Sequence, residues 1–131
     1  MNAPQTYDAG VSHQIGRYSD AVRVPAGYDQ IVVSGTPGLD KNGNIPADFA
    51  DEARQAWRNV AAILEKAGAS ISDIVSIRQY LTREEDIETY VAVQKETITH
   101  EPAAMLLVPT TMAWPEIHVE VEAVALVPSG R

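Results

Sequence analysis

The chain has 131 residues, of which 45% are apolar and 21% charged, with a formal net charge of −8 and no cysteine. That length suffices for one domain with its own core and is too short for two. Without cysteine there are no disulfides, thiolate nucleophiles or zinc–thiolate sites, and an acidic chain whose few basic residues are scattered argues against a nucleic-acid surface.

The opening residues, MNAPQTYDAG, lack the basic and apolar runs of an export signal. No apolar run in the chain approaches a membrane span. The expected setting is therefore the cytoplasm, with no membrane partner. Residues 1–14 are polar and are expected to form an irregular arm, leaving 15–131 as a single domain. Arg17 to Val24 alternates weakly and stops at the turn Pro25-Ala26-Gly27. Gln30 to Ser34 is a short β-branched run, predicted as a buried strand, and it leads into the loop Ser34-Gly35-Thr36-Pro37-Gly38. A second turn follows at 40–44.

The strongest helical signal runs from Asp48 to Ala67. Phe49, Ala53, Ala56, Trp57, Val60, Ile63, Leu64 and Ala67 recur at three- and four-residue steps, which is one stripe of a 3.6-residue period. Asp48 is placed to cap its start and Gly68 to take the left-handed position past its end. Ile74 to Leu81 is predicted as a strand. A second helix is expected to open at Thr82, where Thr82 and Glu85 have capping-box spacing, with Ile87, Tyr90, Val91 and Ile98 as its apolar stripe. Ala103 to Val108 and His118 to Val127 are the last two strands. In the final one Val119, Val121, Ala123, Ala125 and Val127 alternate with His118, Glu120, Glu122, Val124 and Leu126, and period two sends the two sets to opposite faces. The element order implies an α+β fold, a mixed sheet with two helices packed on one face. The other face carries Val and Ile and needs a cover, which a symmetric oligomer would supply.

The ordered segments Ile15-Gly16-Arg17-Tyr18, Ile31-Val32-Val33-Ser34-Gly35, Ala53-Arg54-Gln55-Ala56-Trp57-Arg58-Asn59-Val60, Leu64-Glu65-Lys66-Ala67-Gly68-Ala69, Asp73-Ile74-Val75, Pro102-Ala103 and Val119-Glu120-Val121-Glu122-Ala123-Val124-Ala125 resemble the RidA/YjgF/UK114 family in order and spacing. Each piece alone is weak, but the set spans nearly the whole chain. The resemblance implies a chorismate-mutase-like fold and a homotrimer with small-molecule clefts between subunits. It also implies hydrolysis of reactive enamines and imines to a carbonyl compound plus ammonia, without a metal or an organic cofactor. In such proteins an Arg after the Pro-Ala pair grips the substrate carboxylate, and the first Glu of the final Glu-x-Glu holds the attacking water. Here the Arg position reads Ala104, the Asn often found in the second helix is replaced by Val91, and the segment before Pro102 is shorter. Ala cannot imitate a bidentate guanidinium–carboxylate contact, so the chain is expected to be an atypical member with a different substrate range.

Glu120 is the expected catalytic residue. By periodicity alone it is a solvated glutamate on the polar side of a strand; the resemblance makes it the group that accepts a proton from water. Glu122 is expected to be structural. Tyr18, Ser34 and Gly35 are candidate substrate-binding residues by the same resemblance, although a half-buried aromatic and a strand-ending turn fit these residue types equally well. Ala104 and Met105 would offer main-chain N–H groups. Met105, Leu106 and Trp114 suggest a roomier, more apolar pocket, and core or interface packing accounts for them as readily. Arg17, and less directly His118, are candidates to replace the missing positive charge, against the plainer reading of solvated side chains. The three histidines have no metal-ligand spacing. Two functions are thus in view: an enamine/imine deaminase of altered specificity, or a non-catalytic small-molecule-binding module that kept the clefts.

Overall fold

The alternation in the last segment becomes the central strand of the sheet. In the computed structural model, which describes residues 3–130, the four-stranded sheet has the order β3-β6-β4-β5, with β3 at Tyr28–Pro37, β4 at Ile74–Leu81, β5 at Ala103–Leu107 and β6 at Val119–Pro128. β6 is antiparallel to both of its neighbours, whereas β4 and β5 run parallel, so the sheet is mixed. A parallel pair needs a crossover, and the helix α2 (Ile87–Thr97) supplies it.

Helix α1 (Phe49–Lys66) ends almost where the sequence places it. Asp48 accepts a hydrogen bond from the Asp51 amide at 3.3 Å, and Gly68 takes φ +80° beyond the last turn. Its apolar stripe Ala53, Ala56, Trp57, Val60 and Leu64 is buried against Val119, Val121, Ala123 and Ala125 of β6 and Ile74, Ile77 and Leu81 of β4. From α2, Tyr90 and Val93 complete this core together with Ile98. The Tyr90 hydroxyl donates to Gln79 Oε1, which ties α2 to β4. No helix among the described residues is long and apolar enough to cross a membrane.

Three local expectations are replaced. The N-terminal segment is not wholly irregular: β1 (Gln5–Tyr7) pairs antiparallel with β2 (Ala21–Arg23), and Ser12–Gln14 forms a short turn of 3-10 helix. Asp20 holds that turn by accepting from the amides of Ala9 at 2.6 Å and Ser12 at 2.8 Å. Met1, Asn2 and Arg131 lie outside the described residues. The strand expected over 17–24 contracts to β2. The second helix opens at Ile87 rather than Thr82, after a 3-10 turn at Glu84–Asp86. The Thr82 amide instead donates to the His118 carbonyl at 3.3 Å, prolonging the sheet pairing, and Thr82 Oγ1 is buried without a hydrogen-bond partner, so the capping box does not form.

The sheet face away from the helices is left uncovered in the single chain. Cross-strand register places Val32, Ser76, Arg78, Tyr80, Ala103, Met105, Leu107, Glu120, Glu122 and Val124 on it. Val32 is 74% exposed, which is unusual for a valine in the middle of a strand.

Candidate functional site

On this uncovered face Glu120 stands opposite Tyr80 of β4 on one side and Pro37 of β3 on the other. The pairing of β3 with β6 slips between Val33 and Thr36, so Ser34 and Gly35 form a bulge beside the glutamate. Gly35 meets a specific demand: a Cβ there would lie 2.6 Å from Glu120 Oε1. The carboxylate therefore occupies the space that any other residue at position 35 would fill. Partial burial, and then the nearby charge of Glu122, push the Glu120 carboxyl above the usual glutamate range. A carboxylate raised in this way is a better proton acceptor than a fully solvated one.

Glu122 is itself fixed. The Tyr80 hydroxyl donates to Glu122 Oε1, and this bond, with burial, raises the tyrosine's own pKa. Arg78 lies directly across from Glu122 in the same pairing. The Ser34 carbonyl accepts from Thr36 Oγ1 at 2.8 Å, which braces the bulge, while Ser34 itself is exposed.

The remaining sequence candidates sit elsewhere. Met105 shares the uncovered face and is 49% exposed, but it belongs to β5, two strands from β6 and so about 10 Å across the sheet. The Ala104 side chain points the other way: it pairs with Ile77 and packs against the helix-side core, as does Leu106. Tyr18 and Arg17 lie beyond β5, where the Ser19 amide donates to the Pro102 carbonyl at 3.1 Å. Arg17 Nη2 donates to the Ile98 carbonyl at 2.5 Å, which holds its guanidinium at the end of α2 and away from Glu120 of the same chain. His118 precedes β6 and turns toward α1, where buried Glu52 accepts from its amide at 2.8 Å and lies 3.3 Å from its ring Nδ1. It therefore pairs with Glu52 and not with Glu120. Trp114 is 52% exposed and lines a separate cavity with Arg83, Pro46 and His118.

Within one chain the candidates thus fall into two groups: Glu120, Ser34 and Gly35 at one corner of the sheet, and Tyr18, Arg17, Ala104 and Met105 toward the opposite edge. Tyr80 and Arg78 are additional members of the first group. Their signal was present in the sequence, since both alternate with the buried Ile77, Gln79 and Leu81, but strand periodicity does not say which neighbours they meet.

Fold and site together define a small α+β domain that carries a partly desolvated glutamate, braced against a glycine, on the uncovered face of its sheet. The family described as Endoribonuclease L-PSP matches residues 11–127. The chain belongs to this family, the group of the YjgF and Rid proteins. Over 102 residues it is 33% identical to the 2-iminobutanoate/2-iminopropanoate deaminase of Escherichia coli K12, covering 75% of this chain and 80% of that protein. It is 31% identical over 112 residues to a RutC family protein of Pyrococcus horikoshii, covering 85% and 87% of the two chains. The crystal structure of the Escherichia coli YjgF protein superposes with a TM-score of 0.70 at 29% identity, over 92% of this chain and 93% of the other.

Proposed function

We propose that this chain is an enamine/imine deaminase that converts a reactive C=N compound and water to a carbonyl compound and ammonia, with a substrate range set by groups other than a carboxylate-gripping side chain at the position of Ala104. One observation carries the reading: the Glu120 carboxylate is held against Gly35, partly out of water, with its pKa raised. Water attacks the imine carbon while Glu120 takes its proton, and the C=N electrons move to nitrogen. Glu120 returns that proton to nitrogen to give the neutral carbinolamine, then takes the proton of its hydroxyl and passes it to the amino nitrogen, so that the C–N bond breaks and ammonia leaves as the carbonyl forms. Backbone amides of the Ser34–Gly35 bulge, and of Ala104 and Met105, hold the substrate.

The two groups of candidates stand at opposite edges of one sheet, and a homotrimer that seats the β5 edge of one subunit against the Glu120 corner of the next would join them. Exposed Val32, Met105 and Leu107 on the same face support this. A net charge of −8 favours a small metabolite over RNA as the ligand.

The second reading, a binding module without chemistry, is favoured by Ala104, whose side chain can neither grip an anion nor reach the uncovered face. Ammonia release from freshly generated imines, with and without an α-carboxylate, separates the two. Turnover that disappears in Glu120→Ala while the oligomer persists is expected. Turnover indifferent to Glu120 removes its role, and no turnover on any imine, with a metabolite still bound, leaves the binding module.

A further inference from the structure

The Escherichia coli relative is named for 2-imino acids, compounds whose carboxylate adjoins the reacting carbon. In this chain such a carboxylate would arrive beside two glutamates, Glu120 and Glu122, on a domain of net charge −8. Without a cation at that spot the site would repel the substrate class its relatives act on. The four-stranded sheet contains one basic residue in all of its strands, Arg78. We infer that Arg78 is the carboxylate-binding and specificity-determining residue of the Glu120 site, so that α-imino acids are held from strand β4 rather than from the position of Ala104. This rests on the deaminase reading above for its chemistry, but not for its binding step.

The geometry supports that assignment in three ways. First, Arg78 is directly cross-strand from Glu122 and diagonal to Glu120, and diagonal neighbours on one sheet face lie about 7–8 Å apart, within reach of a long side chain. Second, the guanidinium is not tied up by a carboxylate: Arg78 is exposed, makes no ion pair within 4.0 Å among the described residues, and interacts instead with the Tyr80 hydroxyl beside it. The other arginines whose hydrogen bonds are seen point elsewhere, Arg17 to Ile98, Arg23 to Tyr7, Arg54 to Glu96, Arg58 to Gln55 and Arg83 to Asp86. Tyr80 donates to Glu122 and so satisfies an oxygen that would otherwise compete for Arg78. Third, Arg78 has a place to hold a ligand. With Val32, Ser76, Glu122 and Val124 it lines a hollow of about 70 Å³ on the uncovered face. The valines offer an apolar wall for a short side chain, and Ser76 a hydroxyl. A guanidinium can take both carboxylate oxygens in parallel hydrogen bonds, and Glu120, outside the lining of the hollow, lies one diagonal step along the sheet from Arg78, where the imine carbon of a ligand so held would have to extend.

The test uses 2-oxobutanoate, the product-side analogue, as a binding probe. Its affinity for the full-length protein is measured by titration calorimetry alongside Arg78→Met, which keeps the apolar stem, and Arg78→Lys, which keeps the charge. Arg78→Met is expected to bind about tenfold to a hundredfold more weakly, the range for a lost charge-assisted hydrogen bond, with partial recovery in Arg78→Lys. In ammonia release, the ratio of kcat/KM for 2-iminobutanoate to that for a carboxylate-free imine should fall by a similar factor. Equal affinity in wild type and Arg78→Met overturns the proposal, as does an absence of binding in the wild type. A loss that strikes both kinds of imine alike also overturns it, because the residue would then act on folding or on Glu120. Binding that depends on Arg78 without ammonia from any imine supports the anion site and discards the deaminase reading alone.

Discussion

Replacing Gly35 with alanine tests whether the carboxylate works where the structure puts it. The new methyl would stand 2.6 Å from Glu120 Oε1, well inside the 3.4 Å at which ordinary van der Waals contact begins. Something must yield by roughly 0.8 Å, and the far end of a glutamate yields more cheaply than the backbone of two paired strands. Gly35 has no left-handed φ, so alanine brings no backbone strain. By narrowing the unfolded ensemble it should leave stability level or about 0.4–1 kcal/mol higher. The effect should fall on chemistry instead. A misplacement of about 1 Å at a reacting group costs on the order of a hundredfold, so kcat for imine hydrolysis should drop by about ten- to a hundredfold. Single-turnover ammonia release and a thermal melt, run on the same preparation, separate the two effects. An unchanged kcat with an unchanged melt would refute the reasoning, because the displaced carboxylate would then have had no part in the reaction.

Two further outcomes follow from the same face. Glu120 is held above the ordinary glutamate range by burial first and by the charge of Glu122 second, and in the proposed reaction it acts as a base only when ionised. Its elevation therefore raises the acid limb of the pH–rate profile. Glu122→Gln removes the second cause and should move that limb to lower pH without restoring the solvated value; an unmoved limb would show that the two carboxylates do not interact. Val32→Glu places a charge where an apolar side chain is 74% exposed in the single chain. In the proposed homotrimer, where the subunit contact adjoins the Arg78 hollow, burying that charge would cost several kcal/mol, so sedimentation should show dissociation to monomer, and an intact oligomer would move the contact to another surface.

Much of the fold was legible because its signals are local. Asp48 and Gly68 bound α1, since an N-cap oxygen and a left-handed glycine act within one turn of the residues they serve. Period two in β6 assigned Glu120 and Glu122 to one face and the buried valines and alanines to the other, because successive side chains on a strand alternate wherever the strand lies. Thr82 misled for the opposite reason: its capping pattern is as local as that of Asp48, but a long-range hydrogen bond to the His118 carbonyl holds the residue at the end of β4. The strand order, which puts the last strand between β3 and β4, could not be read from spacing, since pairing partners are chosen by packing over the whole chain. The site depended on that choice. Only the pairing of β6 with β3 and β4 brought Gly35, Tyr80 and Arg78 around the Glu-x-Glu, sent His118 to Glu52, and left Arg17 at the far edge. Sequence determined the elements and which face each side chain would take. Tertiary structure decided which faces meet, because contacts between distant segments are set by the shared burial of their apolar sides and not by any one segment's pattern.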